Sequence, residues 1–181
     1  MRVSVDNGNA TVQYEGREFR ITIPSKKNIF IMLFLGAWLC GWAFGEIMVI
    51  GTLFWGAFIP FLLIWLIGWT VGGGFALYIM GWMLFGKEII SSDGTYLIIE
   101  KKVLGFSKIR EYELRNIEDI RINDEVNSIF SRRNSMAFYG LSGGRIQFDY
   151  GMKTITFGIN IDVAEARYLL DEVISRSISL D

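Results

Sequence analysis

One carboxylate, Glu46, interrupts an otherwise uncharged run from Ile29 to Gly86. Deep in a bilayer such a group binds an ion, relays a proton or pairs with another polar side chain, because its desolvation must be offset. At the bilayer surface it simply reaches water. Glu46 falls toward the far end of the first apolar stretch, which predicts the interfacial role; an ion path would need more crossings and more polar groups than the run supplies. A second chemical candidate is the loop "NDEVNSIFSRRNSMAFYGLSGG" at 123–144, where Arg132 and Arg133 stand among Phe130 and Phe138. Cations mixed with aromatics suit a contact with anionic headgroups or with a partner. The same apolar residues could instead fill the core from a further strand around 135–140, with the two arginines solvated. Lys101, Lys102, Lys108 and Arg110 form a third group around a hairpin bend. Clustered cations can hold phosphates, but Glu100, Glu111 and Glu113 interleave with them along the chain and predict a solvated face.

Reaction chemistry is thinly represented. The chain has no His and one Cys, Cys40, which removes Ser-His-Asp and Cys-His catalysis, His-based metal sites and an intrachain disulfide. The acidic pairs Glu118-Asp119 and Asp124-Glu125 fall in expected turns, and "SGGR" at 142–145 lacks the Lys of a phosphate-binding loop. No catalytic residue, metal ligand or cofactor is expected. A net charge of −1 gives no general field for nucleic acid.

The elements that position these groups follow from the apolar run. As one helix it would be about 87 Å long at about 1.5 Å per residue, against a hydrocarbon thickness of about 30 Å. It therefore predicts a transmembrane hairpin over 28–86, with crossings near 28–49 and 58–85 and a turn from Gly51-Thr52 to Pro60. Lys26 and Lys27 precede the first crossing and Lys87 follows the second, while the connection carries no Lys or Arg. The charge bias places both termini, and the domain beyond, on the cytoplasmic side of the cell membrane. Small residues recur every four positions: Ala37, Gly41 and Gly45, then Gly68, Gly72 and Ala76. Such stripes allow close helix packing in lipid. They predict contact between the two helices of one chain, with dimerisation or docking onto another membrane protein as the alternative.

Both flanks read as strands. Residues 1–27 alternate in short runs around Asn7-Gly8 and Glu15-Gly16, too small a segment to fold alone, and are expected to pair with the larger part. Residues 87–181 continue with strands punctuated by Asp93-Gly94, "VLGF" and Gly151, then a helix over about 162–178. Asp162 and Glu165 predict a capping box, and Val163, Ala166, Leu170, Val173, Ile174 and Ile178 predict its buried face.

The stretches "GTYLIIEKKVLGFSKIREYELRNIEDI" and "GRIQFDYGMKTITFGINIDVAEARYLLDEVI" carry a resemblance. Leu104-Gly105, then Leu114 with Ile117 and Ile120, then Phe157-Gly158, then Glu165-Ala166 with Leu169-Leu170, resemble the pattern of bacterial pleckstrin-homology-like domains found beside membrane helices. The resemblance covers about half the chain. It implies a seven-stranded, strongly bent sheet capped by one helix, and no enzyme activity. The fold expected is thus a membrane protein: a two-helix transmembrane hairpin plus an α+β domain, an antiparallel bent sheet or open barrel capped by a C-terminal helix. The function expected is a non-enzymatic, membrane-anchored module for protein interaction or scaffolding. The alternatives are an anionic-lipid sensor using the 124–143 loop and an accessory subunit of a larger membrane complex. Membrane lipid and either a protein partner or a second copy are the partners expected.

Overall fold

Strand-forming runs on both sides of the apolar segment meet in one sheet. In the structure, a computed structural model that describes residues 3–15, 18–55, 60–123 and 144–174, strands β1 (Val3–Asn7), β2 (Ala10–Glu15) and β3 (Glu18–Pro24) form a meander. β3 then pairs antiparallel with β4 (Lys87–Ser92), which lies beyond the entire apolar run; Ile21 faces Ile90 and Pro24 faces Lys87. β5 (Tyr96–Val103) and β6 (Phe106–Glu113) complete a six-stranded sheet in chain order. After a turn of 3-10 helix at Leu114–Asn116, β7 (Ile117–Ile122), β8 (Ile146–Tyr150) and β9 (Lys153–Phe157) form a three-stranded antiparallel sheet.

Period-2 alternation decides which side chains enter the core. Phe19, Ile21 and Ile23 of β3, Leu97 and Ile99 of β5, and Ile146 and Phe148 of β8 are buried in one cluster with Ala10, Val12, Phe157, Ala166 and Leu169. Residues of the N-terminal segment and of both sheets therefore share one core. The chain divides accordingly into Met1–Lys26 with Phe85–Asp181 as one unit and Lys27–Leu84 as the other. The seven-stranded sheet implied by the resemblance is replaced, among the described residues, by sheets of six and three strands.

The terminal helix departs from its expected course. α3 (Val163–Tyr168) is α-helical, and the chain continues as a π-helix over Leu169–Ile174. The wider turn brings Leu169 and Ile174 into the core with Ala166, while Leu170 is only half-buried. Asp162 caps α3 as expected, accepting from the Glu165 N–H at 2.7 Å. The capping box is not closed: the Glu165 carboxylate accepts from the Ala10 N–H at 2.6 Å instead. A Cβ on Gly8 (φ +77°) would press against its oxygens at 3.1 and 3.2 Å, so the β1–β2 turn and the helix meet closely at a glycine. Ile178 lies outside the described residues.

In the second unit, α1 (Ile29–Phe54) and α2 (Pro60–Phe85) are each long and apolar enough to cross a membrane. Asn28 caps α1 by accepting from the Phe30 and Ile31 N–H groups. Large apolar side chains stand exposed along both, among them Phe44 at 64% and Ile64 at 73%. The first helix outruns its expected end at 49. Gly51 and Thr52 lie within it, and the Thr52 hydroxyl donates to the Met48 carbonyl at 2.8 Å, which satisfies the hydroxyl without water. Pro60 opens α2, where a missing N–H costs nothing.

Candidate functional site

The β5–β6 hairpin gathers the cations that the sequence scattered among acids. Its register pairs Val103 with Phe106, Lys101 with Lys108, Ile99 with Arg110 and Leu97 with Tyr112. Directly opposed residues share a face, so Phe106, Lys108 and Arg110 lie on the same face as the buried Leu97 and Ile99, beyond the end of the core. Glu100, Glu111 and Glu113 lie on the other face with Ile98 and Ile109. The pleat thus separates charges that alternate along the chain. The solvated reading agrees with the exposure of Phe106 to Glu111, while the pleat leaves one face carrying Lys101, Lys108 and Arg110 without an acid from either strand.

The hairpin turns through Leu104 (φ +47°) and Gly105 (φ +90°). A two-residue turn with both residues at positive φ is the tight hairpin turn that Asn-Gly or Asp-Gly ordinarily fills. Leu104 is 63% exposed and Phe106 81% exposed. Sequence reading placed a bend at "VLGF" but gave the tip no role; the signal was an apolar Leu where a polar turn residue belongs.

On the same face Glu88 of β4 is buried and sits directly across from Lys101. One carboxylate oxygen accepts from the Gly158 and Ile159 N–H groups at 2.8 and 3.1 Å, which fastens β4 to the turn leaving β9. The other oxygen lies 3.9 Å from the Lys101 ammonium. Burial raises the Glu88 pKa despite Lys101 and the two backbone donors. Burial likewise lowers that of Lys101, despite Glu88, with Arg110 and Lys108 adding to the effect. Desolvation outweighs attraction on both partners, as it does for ion pairs removed from water. On the smaller sheet Arg121 bonds Asp119 and Asp149, and Asp149 also accepts from the Thr154 hydroxyl at 2.7 Å. Arg121, then Thr154, hold the Asp149 carboxyl below its ordinary range.

Within the hairpin of α1 and α2, Glu46 is half-buried. One carboxylate oxygen accepts from the Thr70 hydroxyl at 2.6 Å and the other is buried. Glu46 lies about 12 Å along the axis from Phe54, the last residue of α1, at about 1.5 Å per residue. Beyond the interfacial reading, Glu46 joins the two helices through a hydrogen bond. Trp42 and Trp69 reinforce this contact, each indole donating to the other's carbonyl, at 3.0 and 3.4 Å. The small-residue stripes do not meet as expected. Gly41, Gly68 and Gly72 face open space and Ala37 is exposed, whereas Gly45 lies against Trp69 and Ala76 is buried. The close approach falls on Gly73, where a Cβ would collide with the Trp42 ring. Trp42 fills the groove that a stripe-to-stripe packing would need.

Arg132, Arg133, Phe130 and Phe138 lie outside the described residues. Among the described residues no three of His, Cys, Asp or Glu converge as a metal site. The chain matches no protein-family model, no curated protein and no solved structure.

Proposed function

We propose that the chain is a membrane-anchored, non-enzymatic module. α1 and α2 cross the cytoplasmic membrane as a hairpin, both termini are cytoplasmic, and the β-rich unit receives a protein partner beside the bilayer. The observation that carries the reading is the outer edge of β6. Its only ladder among the described residues is with β5, and every residue from Phe106 to Glu111 is exposed, including Ile109 at 55%. An unpaired strand edge of this length is a template for an added strand, main-chain hydrogen bonds supplying affinity and alternate side chains selecting the partner. The pleckstrin-homology-like resemblance supports the same setting.

The test uses the full-length chain in its own membranes, with a photo-crosslinking residue replacing Ile109 and, separately, Thr95 at the opposite end of the hairpin. The expected result is a discrete adduct from position 109 alone, lost when Glu111→Pro removes an outward-facing backbone donor and a straight strand edge. A second copy of the chain in that adduct would make the module self-associating. No adduct at 109 above that at 95 would reject the edge as the docking surface.

A further inference from the structure

Register and connectivity place the exposed hairpin tip at a particular end of the large sheet. Pro24 and Lys87 face each other, and the ladder extends one step further through the Ser25 N–H to the Gly86 carbonyl at 3.0 Å. The chain therefore leaves toward α1 and returns from α2 at one and the same sheet end. Lys87 also faces Lys102, and Lys102 faces Ser107, so the β5–β6 turn lies at that end too. Leu104 stands two residues past the Lys87–Lys102 row, about 7 Å at the rise of a strand. Phe85, the last residue of α2, stands two residues before Lys87 in the chain.

The tip is costly for a surface that meets only water. Leu104 bears a branched side chain in the left-handed region and exposes it, where Asn or Gly would sit without strain. Phe106 exposes a whole ring beside it. Behind them come Lys108 and Arg110 on the face of Phe106, where β5 and β6 place no acid, and Lys102 on the opposite face, next to the turn and ahead of Glu100. A strained, exposed apolar residue ringed by cations fits an amphipathic boundary.

We propose that the Val103–Phe106 tip is a second contact with the bilayer that holds α1 and α2: Leu104 and Phe106 enter the headgroup layer, and Lys102, Lys108 and Arg110 meet anionic lipid headgroups. This contact rests on the membrane anchoring proposed above.

The experiment uses the full-length protein in lipid nanodiscs, in a Cys40→Ser background. Phe106→Cys and Thr95→Cys variants each carry a fluorophore, and the discs hold lipids brominated near the headgroup. Thr95 lies in the turn at the opposite end of β5. In discs containing phosphatidylglycerol, quenching at 106 is expected to exceed that at 95 several-fold. Adding Lys102→Glu or Lys108→Glu is expected to weaken contact about fivefold per cation removed, the equivalent of about 1 kcal/mol each at an anionic surface. Leu104→Asn is expected to reduce quenching at 106 while the chain stays folded by circular dichroism. A chain that elutes apart from the disc overturns the anchoring itself. A chain retained in the disc with equal quenching at 106 and 95 overturns the tip contact alone. Quenching at 106 that is unchanged in phosphatidylcholine discs and by both charge reversals overturns the role of the cations.

Discussion

Leu104 and Glu88 show how single residues carry costs that only their surroundings explain. Leu104 occupies a backbone region that costs an L-residue roughly 1–2 kcal/mol, and in water nothing offsets it. Leu104→Asn should therefore raise the thermal stability of the detergent-solubilised protein, by about 1 kcal/mol in unfolding free energy. A lower melting temperature would show that the side chain packs in the fold. Glu88 is the opposite case, buried and useful to the fold. Its carboxylate satisfies two N–H groups of the turn after β9, and losing it strands them at roughly 1–3 kcal/mol each. Because burial raises its pKa above the ordinary 4.5, the folded chain retains a proton that the unfolded chain releases. The associated stability is complete below pH 4.5 and declines as pH rises through the higher folded value. Glu88→Gln, neutral throughout, should flatten the fall in melting temperature above about pH 4.5. An unchanged pH profile would assign the fall to another group.

Among the elements, the apolar hairpin is held by specific contacts rather than by its repeated small residues. Gly73→Ala should open the helix pair, since the new methyl meets the Trp42 ring, whereas Gly41→Ala and Gly72→Ala point into open space and should be neutral. Comparing the three by denaturation in mixed micelles checks the assignment; equal effects would return the contact to the stripes. Thr70→Val should cost about 0.6 kcal/mol, and up to about 1.7, the range of hydrogen bonds between helices in lipid. The stripes were legible in the sequence as a means of close approach, but spacing cannot say which glycine meets which ring. In the strands, alternation located the turn signals at Asp93-Gly94 and Gly151 and the bend at "VLGF", because tight turns depend on local backbone preference. The sorting of Lys101, Lys108 and Arg110 from Glu100, Glu111 and Glu113 needed the pairing register. A one-residue slip would have mixed them again.

For the molecule as a whole, the N-terminal strands are structural partners of the C-terminal part. Ala10, Val12, Phe19, Ile21 and Ile23 lie in the shared core. Deleting residues 1–24 would uncover the edge of β4 along with that core. The truncated chain should lose cooperative unfolding and aggregate on extraction; a sharp thermal transition near that of the full chain would show that the remaining strands fold without it. The apolar segment is inserted between two strands that pair with each other, so the β-rich unit can finish folding only after both helices have been made.

The sequence alone determined the apolar hairpin, the strand-rich flanks, the cap at Asp162, a tolerated Pro60 at the start of the second helix and the lack of His. Each of these depends on composition or on neighbours within a few positions, where steric preference and hydrophobic length suffice. Tertiary structure decided the partners: Glu46 with Thr70, Glu165 with Ala10, Glu88 with Gly158 and Ile159, and the six-plus-three division of the strands. These contacts join positions far apart in the chain. A carboxylate's spacing in sequence says nothing about which distant donor will satisfy it, because that choice is made by the packing of whole elements and the cost of leaving any buried polar group unpaired.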